Sequence, residues 1–124
     1  MKLRIDGNSI RLRLSKSEVA HFAATGHIED AVEFGPLSKF SYTVTAVEES
    51  TLNSSYNPSG IQVKVPRDLA QDWAQTDRVA IAGEQPIEND RTLQILVEKD
   101  FQCLHKGTDA NVDAYPNPQA AMSE

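Results

Sequence analysis

The stretch Lys2–Val19, KLRIDGNSIRLRLSKSEV, decides how the rest of the chain is read. Two short runs within it alternate apolar and basic side chains. Arg4 separates Leu3 from Ile5, and Arg11 and Arg13 separate Ile10, Leu12 and Leu14. A period of two is the pattern of a strand with one buried face. Gly7-Asn8 between the runs tolerates positive φ, so the runs close as a hairpin. Leu3, Ile5, Ile10, Leu12 and Leu14 are expected to bury one face, while Lys2, Arg4, Arg11 and Arg13 line the other. Ser15 with Glu18 three residues later forms a capping box. Val19, Phe22 and Ala23 then give a helix its apolar stripe, and Gly26 is placed to end it.

Working outward, Ile28, Val32 and Phe34 predict a strand stopped by Gly35-Pro36. Phe40, Tyr42, Val44 and Ala46 alternate with Ser41, Thr43 and Thr45, a strong strand signal. Glu48 to Gly60, EESTLNSSYNPSG, is polar and rich in turn formers and reads as a long loop. Ile61, Val63 and Val65 make a strand ended by Pro66, and a short helix runs through Leu69, Ala70 and Trp73. Val79 and Ile81 begin another strand, GEQPIENDR is a second loop, and TLQILVEKDF is a strand with Leu93, Ile95 and Val97 on one face. Ile10–Phe34 can also be laid on Ile61–Glu84, with Val19 and Phe22 matching Leu69 and Trp73 across a one-residue gap. These elements predict an α+β fold: a mainly antiparallel sheet or small barrel of about seven strands with two short helices. One domain spans 1–104, and 105–124 forms a polar, weakly structured C-terminal tail pinned by Tyr115.

Charge is unevenly placed. The chain of 124 residues carries a net −6, yet Met1–Lys16 holds five basic residues against Asp6 alone. An acidic protein repels nucleic acid and anionic membranes as a whole, but a polarised one can bind an anion locally. A composition of 40% hydrophobic and 24% charged residues is that of a soluble globular domain. No apolar run reaches the ~20 residues of a membrane span, and no signal-peptide pattern opens the chain. Cys103 is the single cysteine, so no internal disulfide forms. A cytoplasmic location is the default expectation.

Few residues offer chemistry. Glu98 and Asp100 are spaced to share a strand face, as an acid–base pair would. Cys103 and His105 would share a face if that strand continued, but His21 and His27 lie far away in sequence and zinc needs three or four ligands. No catalytic residue, metal or cofactor is expected. Trp73 reads as core rather than as a stacking platform. The basic hairpin face is the main candidate for function, and its bland alternative is neutralisation by acids such as Glu29, Glu33 or Glu98.

The segment RIDGNSIRLRLSKSEV resembles the start of MazE-type antitoxins and the wider AbrB group, over roughly 2–34. That resemblance implies a dimeric swapped-hairpin barrel that binds operator DNA through its basic strand face. It also implies DNA-contact roles for Arg4, Asn8, Ser9, Arg11 and Arg13, with Lys2 on the same face. Across the whole chain, GNSIRLRLS, VEKDFQCL and DAYPNP resemble a group of small bacterial proteins whose function is unknown. Three readings follow. The first is a non-enzymatic binding or interaction domain with an acidic protein partner or a second copy of itself. The second is a DNA-binding regulator or antitoxin, and the third a phosphate-handling barrel enzyme.

Overall fold

A computed structural model describes residues 1–101 and Tyr115. Ten elements follow one another: β1 (Lys2–Asp6), β2 (Ser9–Leu14), α1 (Lys16–Thr25), β3 (His27–Gly35), β4 (Ser38–Val47), β5 (Asn53–Asn57), β6 (Gly60–Pro66), α2 (Arg67–Gln75), β7 (Ala80–Pro86) and β8 (Thr92–Lys99). They form two four-stranded sheets, β1-β2-β8-β7 and β3-β4-β6-β5. Each sheet joins one hairpin from each half of the chain through a parallel central pair, β2 with β8 and β4 with β6.

The fold is α+β, as expected, and the structure adds detail to it. There are eight strands among the described residues, because Asn53–Asn57 pairs antiparallel with β6 where the sequence reads as loop. Polar side chains conceal this strand: Ser55 and Asn57 face solvent beside Gln62 and Gly60, so no apolar alternation marks it. Pairing is mainly antiparallel, as expected, but the parallel central pairs make each sheet mixed, and the sheets stay open rather than closing into a barrel. The boundary of the tail at 105 lies outside the described residues, but Tyr115 is pinned. Its amide donates to the Asp100 carbonyl at 2.7 Å, and its ring lies 5.7 Å from that of Phe101.

The two halves obey one plan. The β1–β2 register, Lys2 with Arg13, recurs 51 positions on as Asn53 with Lys64. The β3–β4 register, His27 with Thr45, recurs 53 positions on as Ala80 with Glu98. The central pairs follow suit: Leu12 faces Val97 as Val63 faces Val44. The echo seen in sequence is therefore a structural repeat, with the halves exchanged by a pseudo-twofold relation. Its alignment is ungapped within the helices, so Val19 matches Ala70 rather than Leu69, and Phe22 matches Trp73. All four of these residues are buried. The helices connect differently to their next strands. Gly26 alone, at φ 76°, links α1 to β3, whereas Thr76–Val79 link α2 to β7.

Phe22 and Trp73 meet edge to face at 6.2 Å. Equivalent residues in contact must lie beside the pseudo-twofold axis, so this pair marks the centre of the core. Around it Leu12, Leu14, Val44, Val63, Val65, Ile81, Ile95 and Val97 come from both sheets. The Trp73 indole N–H donates to the Val79 carbonyl at 3.0 Å, which satisfies the one polar atom of a buried ring. Trp73→Ala is expected to cost about 3–5 kcal/mol in denaturant unfolding. Phe22→Ala and Trp73→Ala together should cost less than the sum of the two, because each removes part of the same contact. Additive costs would show that the rings act independently.

Candidate functional site

The outer face of the first sheet carries the cationic side chains foreseen in sequence. Alternation along β1 and β2 sets Lys2, Arg4, Arg11 and Arg13 on one side, and the register stands Arg4 beside Arg11 and Lys2 beside Arg13. The same register brings in β8, with Glu98 opposite Arg13. Glu98 accepts a hydrogen bond from Arg13 and forms an ion pair with Arg11 as well. Arg13 Nε and Nη2 lie 3.0 and 2.9 Å from its Oε1, and Arg11 Nε lies 3.6 Å away. Lys2 Nζ pairs with Asp100 at 3.1 Å. Of the acids considered for this role Glu98 fills it, while Glu29 and Glu33 lie on β3 of the other sheet. Arg4 makes no ion pair among the described residues and stays exposed.

Asn8 and Ser9 are committed to the hairpin. The Asn8 side-chain amide donates to the Thr92 carbonyl at 2.7 Å, and the Ser9 hydroxyl donates to the Asp6 carbonyl at 2.6 Å. The Asn8 bond ties the β1–β2 turn to the start of β8. Glu98 and Asp100, the spaced carboxylates, are both held in the ion pairs just described. Cys103 and His105 lie outside the described residues. Among the described residues no cluster of three or more His, Cys, Asp or Glu side chains suits a metal ion.

A second surface escaped the sequence reading. The helices join the far ends of the two sheets, so the four hairpin turns gather at the opposite end. There the inner faces part, and large apolar side chains meet solvent: Ile5 (61% exposed), Val32 (45%), Phe34 (72%) and Tyr56 (77%). Ile5 was expected in the core with Leu3 and Ile10. It sits instead near the tip of an edge strand, where one flank has no neighbouring strand to cover it. Alternation reveals which way Ile5 faces but not what stands opposite. The pseudo-symmetry shows that this is a pattern: Ile5 matches Tyr56, Phe34 matches Ile87, and all four are exposed. Between the sheets a cavity of about 280 Å³ opens, lined by Ile10, Ile61, Tyr56 and Leu93 with Ser54 and Gln85.

The two flanks of this open end differ. On the β5–β7 flank Gln85 is locked to Ser54: its Oε1 accepts from the Ser54 amide at 2.7 Å and the Ser54 hydroxyl at 3.0 Å, and its Nε2 donates to the Ser54 carbonyl at 3.1 Å. The equivalent residues on the β1–β3 flank are Leu3 and Val32, which can form no such side-chain clamp. Among the described residues that flank is tied by side chains at its far end, where the Met1 amino group lies against Glu18 and Asp30 and the Tyr42 hydroxyl donates to the Met1 carbonyl at 3.2 Å.

Among the described residues Lys99 is the one charged side chain of the core, 5% exposed. Its ammonium donates to the Thr76 carbonyl at 2.8 Å, just beyond α2, and lies 6.0 and 5.2 Å from the Trp73 and Tyr115 ring centres. A helix end lacking a basic residue in its last turn thus receives its cation from β8. The carbonyl and the π faces make this a self-satisfied cap. Burial pushes the Lys99 pKa below 10.5, and Asp77 works in the opposite direction.

The chain belongs to a family of unknown function, DUF7009, which it matches over residues 1–119. Neither the curated proteins nor the solved structures contain a match to it. No helix among the described residues is long and apolar enough to cross a membrane.

Two measurements test these assignments. Glu98→Gln should release Arg11 and Arg13 and strengthen binding of duplex DNA at low salt. The salt slope should steepen toward about −3.6, the limit if all four cations met phosphates; an unchanged titration would show that Glu98 does not mask them. For Lys99, the folded state loses its proton before the unfolded state does. Unfolding therefore takes up a proton in the window just below pH 10.5, and stability rises with pH there. Lys99→Met should abolish that alkaline rise, and an identical pH profile in the variant would place its origin elsewhere.

Proposed function

We propose that this member of a family of unknown function is a non-enzymatic interaction module that engages a protein partner through the open end of its sandwich. The observation that carries this reading is the cleft between the sheets lined by Ile10, Tyr56, Ile61 and Leu93, with Ile5, Val32 and Phe34 exposed on the other flank of the same end. Contiguous exposed apolar surface costs solubility and marks interaction sites, whereas single exposed apolar residues need no explanation. Recurrence of the pattern in both halves argues against accident. The internal pairing of Glu98 and Asp100 with Arg11, Arg13 and Lys2 also favours binding over acid–base chemistry on that face.

A DNA-binding regulator is the second reading, favoured by the exposed Arg4, which makes no ion pair among the described residues, beside the half-exposed Arg11 and Arg13. It is the weaker one, since Glu98 and Asp100 cancel half of the charge of the four cations. The phosphate-handling enzyme reading required a closed barrel lined by charges, and the two open sheets remove its premise.

Phe34→Ser and Tyr56→Ser test the first reading. Both side chains are exposed, so stability should change by no more than about 0.5 kcal/mol. The native protein should enhance the fluorescence of an anilinonaphthalene sulfonate dye, and the double variant should lose most of that enhancement. Dye binding that survives both substitutions would move the apolar site elsewhere.

A further inference from the structure

The β1–β3 flank joins the two surfaces that the rest of the fold keeps apart. Among the described residues β1 pairs only with β2, so its other edge presents backbone N–H and C=O groups. Lys2 and Arg4 project from that strand on the outer face, with Leu3 and Ile5 on the inner face. Beyond the edge lie Val32 and Phe34 of β3, exposed and without the Ser54–Gln85 clamp of the opposite flank. We infer that β1 is a strand-addition site for an extended partner segment that alternates acidic and apolar residues. Its acidic side chains would face Lys2 and Arg4, and its apolar ones would cover the exposed Ile5 and Val32 on the inner side, next to Phe34. This rests on the reading of the open end as an interaction surface and adds the chemistry of the occupant.

Charge complementarity selects that occupant. Among the described residues, Arg4 is the cation of the basic face that has no acidic neighbour in an ion pair. A directly opposed cross-strand carboxylate provides one, while backbone hydrogen bonds supply the affinity that side chains then direct. Basic residues on an edge strand also discourage edge-to-edge pairing of identical chains. A second copy added antiparallel and centred on Arg4 would set the two Arg4 side chains against each other, whereas an acidic strand would not. Nucleic acid would use the same cations but leave Ile5, Val32 and Phe34 in water.

The test is fluorescence anisotropy of the full chain with a short fluorescein-labelled peptide alternating Glu and Val, against the same peptide with Lys for Glu. The Glu peptide should bind and the Lys peptide should not. Arg4→Glu should weaken binding about fivefold or more, in line with reversing one cross-strand charge pair, and Phe34→Ser should weaken it as well. N-methylation of one set of alternate peptide residues should abolish binding while methylation of the other set leaves it intact, the signature of a strand edge. Equal binding of both peptides, sensitive to Phe34→Ser but not to Arg4→Glu, would overturn the acidic-strand inference and leave the open-end reading standing. No peptide binding, together with dye binding indifferent to Phe34→Ser and Tyr56→Ser, would overturn both. Arg4-dependent binding of duplex DNA without peptide binding, or self-association relieved by Arg4→Glu, would assign the edge to those occupants instead.

Discussion

The edge-to-face contact of Phe22 with Trp73 is the constraint on which the rest of the structure depends. Each helix carries one large ring at the equivalent place, and the two rings fill the space where the halves meet. Neither half can bury its own ring. α1 bridges β2 of one sheet to β3 of the other, and α2 bridges β6 to β7. Packing the two helices on each other therefore fixes where both sheets stand. The sheets converge at the helical end, where burial is complete, and open at the hairpin end, where it is not. The exposed apolar cleft is the geometric counterpart of the tight core.

That division explains what could be read from sequence. Alternation in Ile10–Leu14, Phe40–Ala46 and Leu93–Val97 identified strands whose inner residues are buried, because central strands are covered on the face that alternation marks. The capping box at Ser15 and Glu18 was equally legible, and the structure shows both of its hydrogen bonds. β5 was not legible, since an edge strand stitched by backbone bonds and a Gln85 side chain needs no apolar stripe. Lys99 drew no attention in the sequence, although the alternation of β8 sets it on the inner face with Ile95 and Val97. What the sequence does not show is how a cation is tolerated there, because the carbonyl and rings that solvate it come from Thr76, Trp73 and Tyr115.

The candidate site shows the same split. Arg4, Arg11, Arg13 and Lys2 do share a face, as their spacing required. What the spacing could not convey was that β8 would lie parallel beside β2 and deliver Glu98 between two guanidinium groups. Parallel pairing across most of the chain leaves no local trace, and it halves the charge available to any ligand. Phe34 ends an ordinary strand pattern and Tyr56 sits in a stretch that reads as loop, so their significance appears only when the repeat superimposes them on Ile87 and Ile5.

The interleaving of hairpins also shapes how the chain must assemble. β2 lies beside β8, and the Arg13–Glu98 contact spans 85 positions of sequence. During synthesis the first hairpin emerges long before its neighbour exists, with Ile10, Leu12 and Leu14 uncovered. Only β4 and β6, closer in the chain, complete a sheet of their own before the final strand leaves the ribosome. Such long-range pairing makes for slow folding and a lengthy interval of exposed edges. The cationic side chains that alternate with those apolar residues along β1 and β2 then protect the nascent hairpin, keeping it soluble and apart from its siblings until β8 arrives.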